Sequence, residues 1–203
     1  TGVQTCALPI FVLAPGERAD VLVAPPGAPG GMLGVRALLH DRGYGSVEAR
    51  LPFDELFTIA FSEEPPLPAS PPLQIHRAIE PISTTGATAV SIDLTIEQLG
   101  NGEFQYGING VPFQGERALR AVLGETQVWT ITNRTKWSHP FHLHGYFFQV
   151  LDRNGQPRRP LAWKDTVNVP YDNSVKVVVR FDDRPGMWMF HCHILDHADG
   201  GLM

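Results

Sequence analysis

The sequence predicts an all-β protein, an antiparallel β-sandwich or Greek-key barrel, from its turn residues and its strand patterns. Glycine occurs 20 times and proline 18 times in 203 residues, which favours short strands joined by turns over long helices. Apolar and polar residues alternate over 90–96 and over 175–181, the period of a strand with one buried face. Helical patterns are short and fall only at 117–122 and after His193.

Composition and charge narrow the possible functions. The chain is 43% hydrophobic and 18% charged, a balance typical of one large or two small folded domains with a buried core. Lysine and arginine total 16 against 21 acidic residues, a formal net charge of −5, so no nucleic-acid partner is expected. No apolar run is long enough for a membrane span.

The first ten residues, TGVQTCALPI, match the translation of a common short-read sequencing adapter. We interpret residues 1–10 as an assembly artefact that does not belong to the natural protein. Cys6 is then not a natural residue, and Cys192 is the single genuine cysteine. One cysteine forms no internal disulfide, so the cysteine content does not indicate a redox compartment.

The remaining chain is predicted to contain two β modules. Residues 11–63 should hold short strands, including one at 21–23 and one at 57–61. Five prolines then fall within residues 65–72. Proline cannot donate to a strand ladder, so we interpret 64–84 as an extended linker. The second β module covers residues 85–203.

Histidines are concentrated in two short segments of the second module. Six of the eight histidines lie in HPFHLHG (139–145) and HCHILDH (191–197). Residues two apart on a strand share a face, so His142 and His144 point together, as do His191 and His193. Cys192 points to the opposite side. One strand can therefore serve two metal centres, joined through the backbone of Cys192.

The side of the strand with Cys192 has the donors of a blue-copper site. Cys192, His197 and His139 supply one sulfur and two nitrogens, the trigonal set of copper electron-transfer proteins. Leu202 stands at the position of the weak axial ligand and has no lone pair, which should raise the reduction potential. Met203 is one residue out of register and is the less favoured axial candidate. Structural zinc is the competing interpretation, but zinc would not need seven candidate ligands on two faces.

HPFHLHG and HCHILDHADGGL together resemble the third-domain copper signature of the laccase-like multicopper oxidases. APGERADVLV, at 14–23, resembles the second domain of three-domain members; FQYGINGVPF, WKDTVNVP and PGMWMFHCH resemble third-domain segments. The resemblance implies cupredoxin-like Greek-key domains, one partial and one nearly complete. Residues 11–63 would be the C-terminal part of domain two, and 85–203 domain three, truncated at its C-terminus.

The resemblance also implies a role for each metal-binding candidate. Mononuclear type 1 copper would take His139, Cys192 and His197; type 2 copper would take His142; the type 3 pair would take His144, His191 and His193. The implied reaction takes single electrons from phenols, aromatic amines or metal ions and reduces dioxygen to water at a trinuclear cluster. A periplasmic or secreted location is expected by the same resemblance.

The chain departs from the family pattern in two ways. The paired His-x-His motifs of a first cupredoxin domain have no counterpart, so we expect the fragment alone to be inactive in oxygen reduction. Ala198 stands where several bacterial members carry a proton-delivering glutamate, which leaves Asp196 and Asp199 as nearby candidates or as merely solvated side chains. Asp165 is a candidate for orienting a ligand histidine, with a turn or edge salt bridge as the alternative.

Two other functions fit the same fold. A copper nitrite reductase is one, but the two histidines flanking Cys192 suit a paired-copper site instead. A non-catalytic cupredoxin, serving as an electron carrier or a binding module, is the other. A pure carrier needs only His139, Cys192 and His197, whereas the further histidine pairs are also present.

Overall fold

A computed structural model describes seven parts of the chain: residues 11–21, 23, 30–38, 40–43, 55–64, 78–114 and 118–203. The chain divides into two compact units, one formed by the residues up to Arg18 with Ile79–Met203 and the other by Ala19–Ala78. The adapter-like residues 1–10 and most of the predicted linker, 65–77, lie outside the described residues.

The unit within Ala19–Ala78 contains a two-stranded antiparallel sheet. Strand β1 covers Met32–Arg36 and pairs with β2, Glu55–Ala60. The strand predicted at 57–61 is thus confirmed, and it begins two residues earlier than predicted. The strand predicted at 21–23 is wrong for its two described residues, Val21 and Val23, which are 51% and 42% exposed. An apolar run forms a strand only where a partner strand completes its hydrogen bonds.

The other unit is a β-sandwich with one short helix. Its elements are β3 Thr88–Gln98, β4 Phe104–Ile108, β5 Thr126–Asn133, β6 His139–Leu143, β7 Phe148–Leu151, β8 Thr166–Val169, β9 Ser174–Arg180, β10 Phe190–Cys192 and α1 Leu195–Asp199. A five-stranded sheet has the order β4-β3-β5-β9-β7, and a three-stranded sheet has the order β10-β6-β8. The alternating segments predicted as strands are confirmed as β3 and β9.

One strand pair differs from the predicted antiparallel arrangement. Strands β3 and β5 run parallel, whereas the other neighbours in both sheets are antiparallel. The connection between the strands explains this. Strand β4 follows β3 in a hairpin and occupies one side of it, so β5 pairs with the other side of β3 and runs in the same direction as β3. Parallel neighbours need a crossover of this kind, whereas antiparallel neighbours can be joined by a short hairpin.

The three-stranded sheet brings the two histidine segments together. His191 pairs with His142 and Cys192 with Phe141 across the β10–β6 ladder. Facing residues on neighbouring antiparallel strands lie close together and on the same side of the sheet. The ladder therefore places His191 beside His142, and it directs Cys192 and Phe141 to the opposite face.

Side chains from both sheets form one hydrophobic core, which contains Cys192 and Leu202. Trp129 of β5 meets Phe141 of β6 edge to face, with ring centroids 6.1 Å apart. Its indole N–H donates to the buried amide oxygen of Gln127 at 2.8 Å, so this polar group is satisfied within the core. The core thus holds β6 and β10, the strands of the histidine segments, against the larger sheet.

Of the two predicted helical pieces, only the one after His193 forms, as α1. Residues 118–122 are exposed and not helical, and 115–117 lie outside the described residues. A single helical turn is unstable in water unless tertiary contacts bury one of its faces. No helix among the described residues is long and apolar enough to cross a membrane.

Candidate metal centre

The buried metal-binding candidates come from three elements that converge under the sheet. His139 lies on β6, Cys192 on β10 and His197 on α1, and their side chains are 0%, 2% and 3% exposed. Cys192 Sγ lies 3.6 Å from His139 Nδ1 and 3.8 Å from His197 Nδ1. The two Nδ1 atoms are 3.1 Å apart. The structure thus brings together the three residues predicted for a blue-copper site.

These separations fit donor atoms around one metal ion. At metal–nitrogen and metal–sulfur distances of about 2.0 and 2.3 Å, neighbouring ligand atoms lie roughly 3 to 4 Å apart. A set of two imidazoles and one thiolate matches the trigonal geometry of blue-copper sites. The donor set of this chain therefore fits copper, on its chemistry and on its spacing.

Burial disfavours the charged forms of His139 and Cys192. It lowers the pKa of His139 from 6.5 to about 3, and the neighbouring His197 acts in the same direction. It raises the pKa of the Cys192 thiol from 9.0 to about 12; the Ile194 N–H opposes this and the charge of Asp196 adds to it. Metal binding must therefore displace the thiol proton.

A threonine that the sequence analysis did not single out orients His139. The hydroxyl of Thr135 lies 2.6 Å from His139 Nε2 and donates its own proton to Asn133 Oδ1, 2.8 Å away. It can then accept the Nε2 proton of His139, which leaves the Nδ1 lone pair facing Cys192. Nothing in the sequence links Thr135 to His139, because the contact depends on the turn between β5 and β6.

Leu202, the residue at the predicted axial position, is fully buried in the same core. Its N–H donates to the carbonyl of His197, and its carbonyl accepts the N–H of Cys192, both at 3.0 Å. The loop after α1 is thereby tied to two of the three donor residues. The Leu202 side chain offers no lone pair to a metal.

An aromatic residue covers His197. The ring of Tyr106 stacks on the imidazole at 4.5 Å between centroids and 27° between planes. The N–H of Tyr106 also donates to the carbonyl of Gly200 at 2.9 Å. Tyr106 lies in the segment FQYGINGVPF, but sequence reasoning assigned it no role, since a strand aromatic is most often ordinary core.

A second donor group lies on the opposite face of β6 and β10. Ligand atoms of His142, His144 and His191 all lie within 4.8 Å of one another, and the Nε2 atoms of His144 and His191 are 3.0 Å apart. The ring of His193 lies next to them, 5.1 Å from that of His142 between centroids, but outside that group. This group is partly open to solvent, unlike the buried one.

Burial and the neighbouring imidazoles disfavour protonation of His142 and His144. Burial lowers the pKa of His142 and outweighs the opposing hydrogen bond to the Asp165 carbonyl. Burial and the nearby His191 and His193 lower the pKa of His144. Neutral imidazoles are the form that binds metals.

The predicted carboxylates lie in different environments. Asp165 is beside His142, but it touches the ring through its backbone carbonyl, 3.0 Å from Nδ1, while its Oδ1 is 4.0 Å away. Asp196 and Asp199 lie on α1 with exposed side chains. Asp196 is close enough for its charge to affect Cys192.

The two donor groups are connected through the backbone of β10. Cys192 follows His191 directly, and the Nδ1–H of His191 donates to the carbonyl of Cys192 at 2.7 Å. The N–H of His193 donates to the carbonyl of Pro140 at 2.8 Å, which fixes the end of β10 against β6. Buried and open groups are thus separated by one strand.

Comparisons with known proteins identify the family of the chain. The family model described as multicopper oxidase matches residues 84–203, and the chain belongs to the multicopper oxidase family. The multicopper oxidase MmcO of Mycobacterium tuberculosis is 30% identical over 201 residues, which cover 95% of this chain and 37% of MmcO. A laccase of Haloferax volcanii is 34% identical over 112 residues, covering 52% of this chain and 19% of the laccase.

A solved structure shows the same fold. A variant of the McoA multicopper oxidase from the hyperthermophile Aquifex aeolicus aligns with a TM-score of 0.71 and 26% identity. The alignment covers 87% of this chain and 40% of McoA. The all-β, cupredoxin-like fold and the resemblance to multicopper oxidases are thus confirmed. The chain spans at most 40% of the length of these three relatives.

Proposed function

We propose that this chain carries the type 1 copper site and part of the trinuclear site of an oxidase that reduces dioxygen to water. The observation that carries the proposal is the placement of two donor groups on opposite faces of β10. Cys192 faces the buried group, and its neighbour His191 belongs to the open one. A protein that only carried electrons would need the buried group alone.

In the buried group, His139, Cys192 and His197 would hold a type 1 copper. Bound there, copper supplies one-electron redox chemistry. The core around Cys192 excludes water, and the hydrogen bond to Thr135 directs the lone pair of His139 inward. Leu202, buried in the same core, would offer copper no lone pair, and the lack of a further donor would favour the reduced ion and a high potential.

On the face of the open group, His142 would be a ligand for type 2 copper, and His144, His191 and the adjacent His193 would be ligands for the type 3 pair. These histidines face solvent on one side, as a site must if further ligands and a small molecule such as dioxygen are to reach it. We propose that a first cupredoxin domain, absent from this sequence, supplies the remaining imidazoles.

Two separate metal sites suit the proposed reaction, which couples a one-electron donor to the reduction of dioxygen. Phenols, aromatic amines or metal ions, the proposed reducing substrates, give up one electron at a time, whereas reduction of dioxygen to water takes four. The short connection from Cys192 through its carbonyl to His191 joins the two sites without an intervening side chain. The retained open group also argues against a copper nitrite reductase, because the histidines flanking Cys192 suit a paired-copper site.

Two further expectations stay predictions. One is the division into the end of domain two (11–63), a linker (64–84) and most of domain three (85–203). The other is a periplasmic or secreted location. Asp196 and Asp199 are proposed as proton-delivery candidates from their position on α1, next to His197.

Copper loading of the chain tests the proposal. The copper-loaded protein should show the intense visible absorption of a copper–thiolate bond, and Cys192→Ser should abolish it. His144→Ala is the matched control, since it should lower the bound copper without removing that absorption. Persistence of the absorption in Cys192→Ser would overturn the type 1 assignment.

Oxygen uptake tests the need for another domain. The isolated chain, loaded with copper and given a phenolic donor, should consume no oxygen. Uptake of oxygen with four coppers bound per chain would contradict the proposed division of ligands between domains.

A further inference from the structure

A turn near the start of the described chain lies against His193, which is next to the open histidine group. The N–H of Glu17 donates to the carbonyl of Ala14 at 2.9 Å, and the Glu17 carboxylate accepts the Ala14 N–H at 3.1 Å. Gly16 has a φ of +82°, and a Cβ at this position would clash with the ring of His193. The turn therefore needs glycine for its conformation and for its close approach to His193.

Two ion pairs attach this turn to neighbouring residues just before β8. The guanidinium of Arg18 binds both carboxylate oxygens of Asp165, at 2.7 and 2.8 Å, and also donates to the carbonyl of Gly16 at 2.9 Å. Lys164 pairs with Glu17 at 2.5 Å. A two-point arginine–carboxylate contact fixes orientation as well as distance.

A chain of hydrogen bonds runs from the Asp165 carboxylate, which pairs with Arg18, to the ring of His142. Asp165 Oδ1 accepts the hydroxyl proton of Thr166 at 3.0 Å. The Thr166 oxygen and the Asp165 carbonyl each lie 3.0 Å from His142 Nδ1. A carbonyl can only accept, so Nδ1 carries the imidazole proton and Nε2 keeps the lone pair.

The charge distribution is consistent with this chain of contacts. Burial raises the pKa of Asp165, but the hydrogen bonds from Arg18 and Thr166 and the positive charge of Arg18 hold it below its usual value. In the two-point pair with Arg18, the Asp165 carboxylate has acceptor oxygens, and its Oδ1 accepts the Thr166 proton. With that proton directed away, the Thr166 oxygen is free to accept from His142.

We propose that Arg18 is a positioning residue for His142, acting through Asp165 and Thr166 to select the tautomer whose Nε2 can bind metal. The consequence for metal binding rests on the proposed function, in which His142 is a copper ligand. The Arg18 side chain is 65% exposed, and exposed ion pairs contribute little to stability. The role of the Arg18–Asp165 ion pair is therefore to orient His142.

The tautomer can be measured without metal. In the metal-free chain with ¹⁵N-labelled histidine, proton–nitrogen correlation spectra at about pH 8, above the ordinary imidazole pKa, should show His142 protonated on Nδ1. In Arg18→Met the population protonated on Nε2 should rise. Arg18→Lys should lie between the two, since lysine keeps the charge but not the two-point contact. Lys164→Met is the matched control and should leave the spectrum of His142 unchanged.

Copper affinity provides the second readout. Competition with a chelator should show that Arg18→Met weakens Cu²⁺ binding by the open group about 10-fold, the lower end of the effect of removing a group that orients a ligand. Lys164→Met should bind as the unaltered chain does. An unchanged His142 tautomer in Arg18→Met would overturn the inference, whatever the copper affinity.

The inference and the proposed function can fail separately. If Arg18→Met changes the tautomer but His142→Ala binds copper as tightly as the unaltered chain, the positioning by Arg18 is supported and the ligand role of His142 is overturned. If both the tautomer and the affinity respond to Arg18→Met, both are supported.

Discussion

Thr135→Val should weaken the buried metal site without filling or emptying space in the core. Valine has nearly the shape of threonine but lacks the hydroxyl, so the change removes the 2.6 Å contact to His139 Nε2. Thr135 is 4% exposed and His139 is 0% exposed, so water cannot replace the lost partner. Asn133 Oδ1 still accepts the backbone N–H of residue 135 at 2.9 Å.

The expected cost follows mainly from the buried Nε2–H of His139, which is left without a partner; the Trp137 N–H, 3.2 Å from the same hydroxyl, loses that acceptor as well. An unsatisfied buried N–H costs about 1–3 kcal/mol, and the free energy of unfolding of the metal-free chain should fall by about that amount. His139 can avoid the cost by moving its proton to Nδ1, but Nδ1 then cannot bind a metal. Either response should lower copper affinity at this site, by about 10- to 100-fold.

Denaturant unfolding of the metal-free chain and titration of the copper–thiolate absorption measure the two effects. Thr135→Ser, which keeps the hydroxyl, should retain most of the stability and most of the copper affinity of the unaltered chain. Thr130→Val makes the same change at a partly exposed position of β5 and should alter neither. If Thr135→Val matches the unaltered chain in stability and in copper affinity, the role assigned to the Thr135 hydroxyl is wrong.

Three other predictions concern stability. The metal-free chain should be most stable between about pH 6.5 and 9: the pKa of His139 is about 3 when folded and 6.5 ordinarily, so stability falls as pH drops through that range. The pKa of Cys192 is about 12 in the folded chain against an ordinary 9.0, so the free energy of unfolding also falls as pH rises above 9. Urea unfolding at a series of pH values measures the loss at each end, and a free energy of unfolding that does not change with pH would contradict both. Gly16→Ala should cost at least about 1 kcal/mol from its positive φ plus the clash with His193, measured by thermal unfolding; equal stability would show that the turn does not need glycine. Phe141→Ala removes a side chain that is 1% exposed and should cost about 3–5 kcal/mol in denaturant unfolding, with a loss under 1 kcal/mol contradicting its core position.

Local spacing in the sequence was enough to predict the two-faced arrangement of β10. Side chains alternate along any strand, so Cys192 must point away from His191 whatever the rest of the fold does. The same alternation identified β3 and β9 before any tertiary contact was known. The segment at 21–23 shows the limit of this reasoning, because its apolar residues found no partner strand among the described residues.

Contacts between distant residues came only from the tertiary structure. Arg18 and Asp165 are 147 positions apart. No rule of sequence spacing predicts that the residue after the 14–17 turn contacts the residue before β8. The roles of Thr135 and Tyr106 were missed for the same reason, since a lone threonine or strand aromatic carries no local signal.

Three features could be predicted from the sequence alone: the candidate donor residues, their division between two faces of a strand, and the all-β class. Those features depend on residue chemistry and on the two-residue period of a strand. The folded chain was needed to show the parallel pairing of β3 with β5, the separations between the donor atoms of His139, Cys192 and His197, and the groups that orient His139 and His142. These depend on which strands pair and in which register, and that choice minimises the free energy of the whole core instead of any one segment.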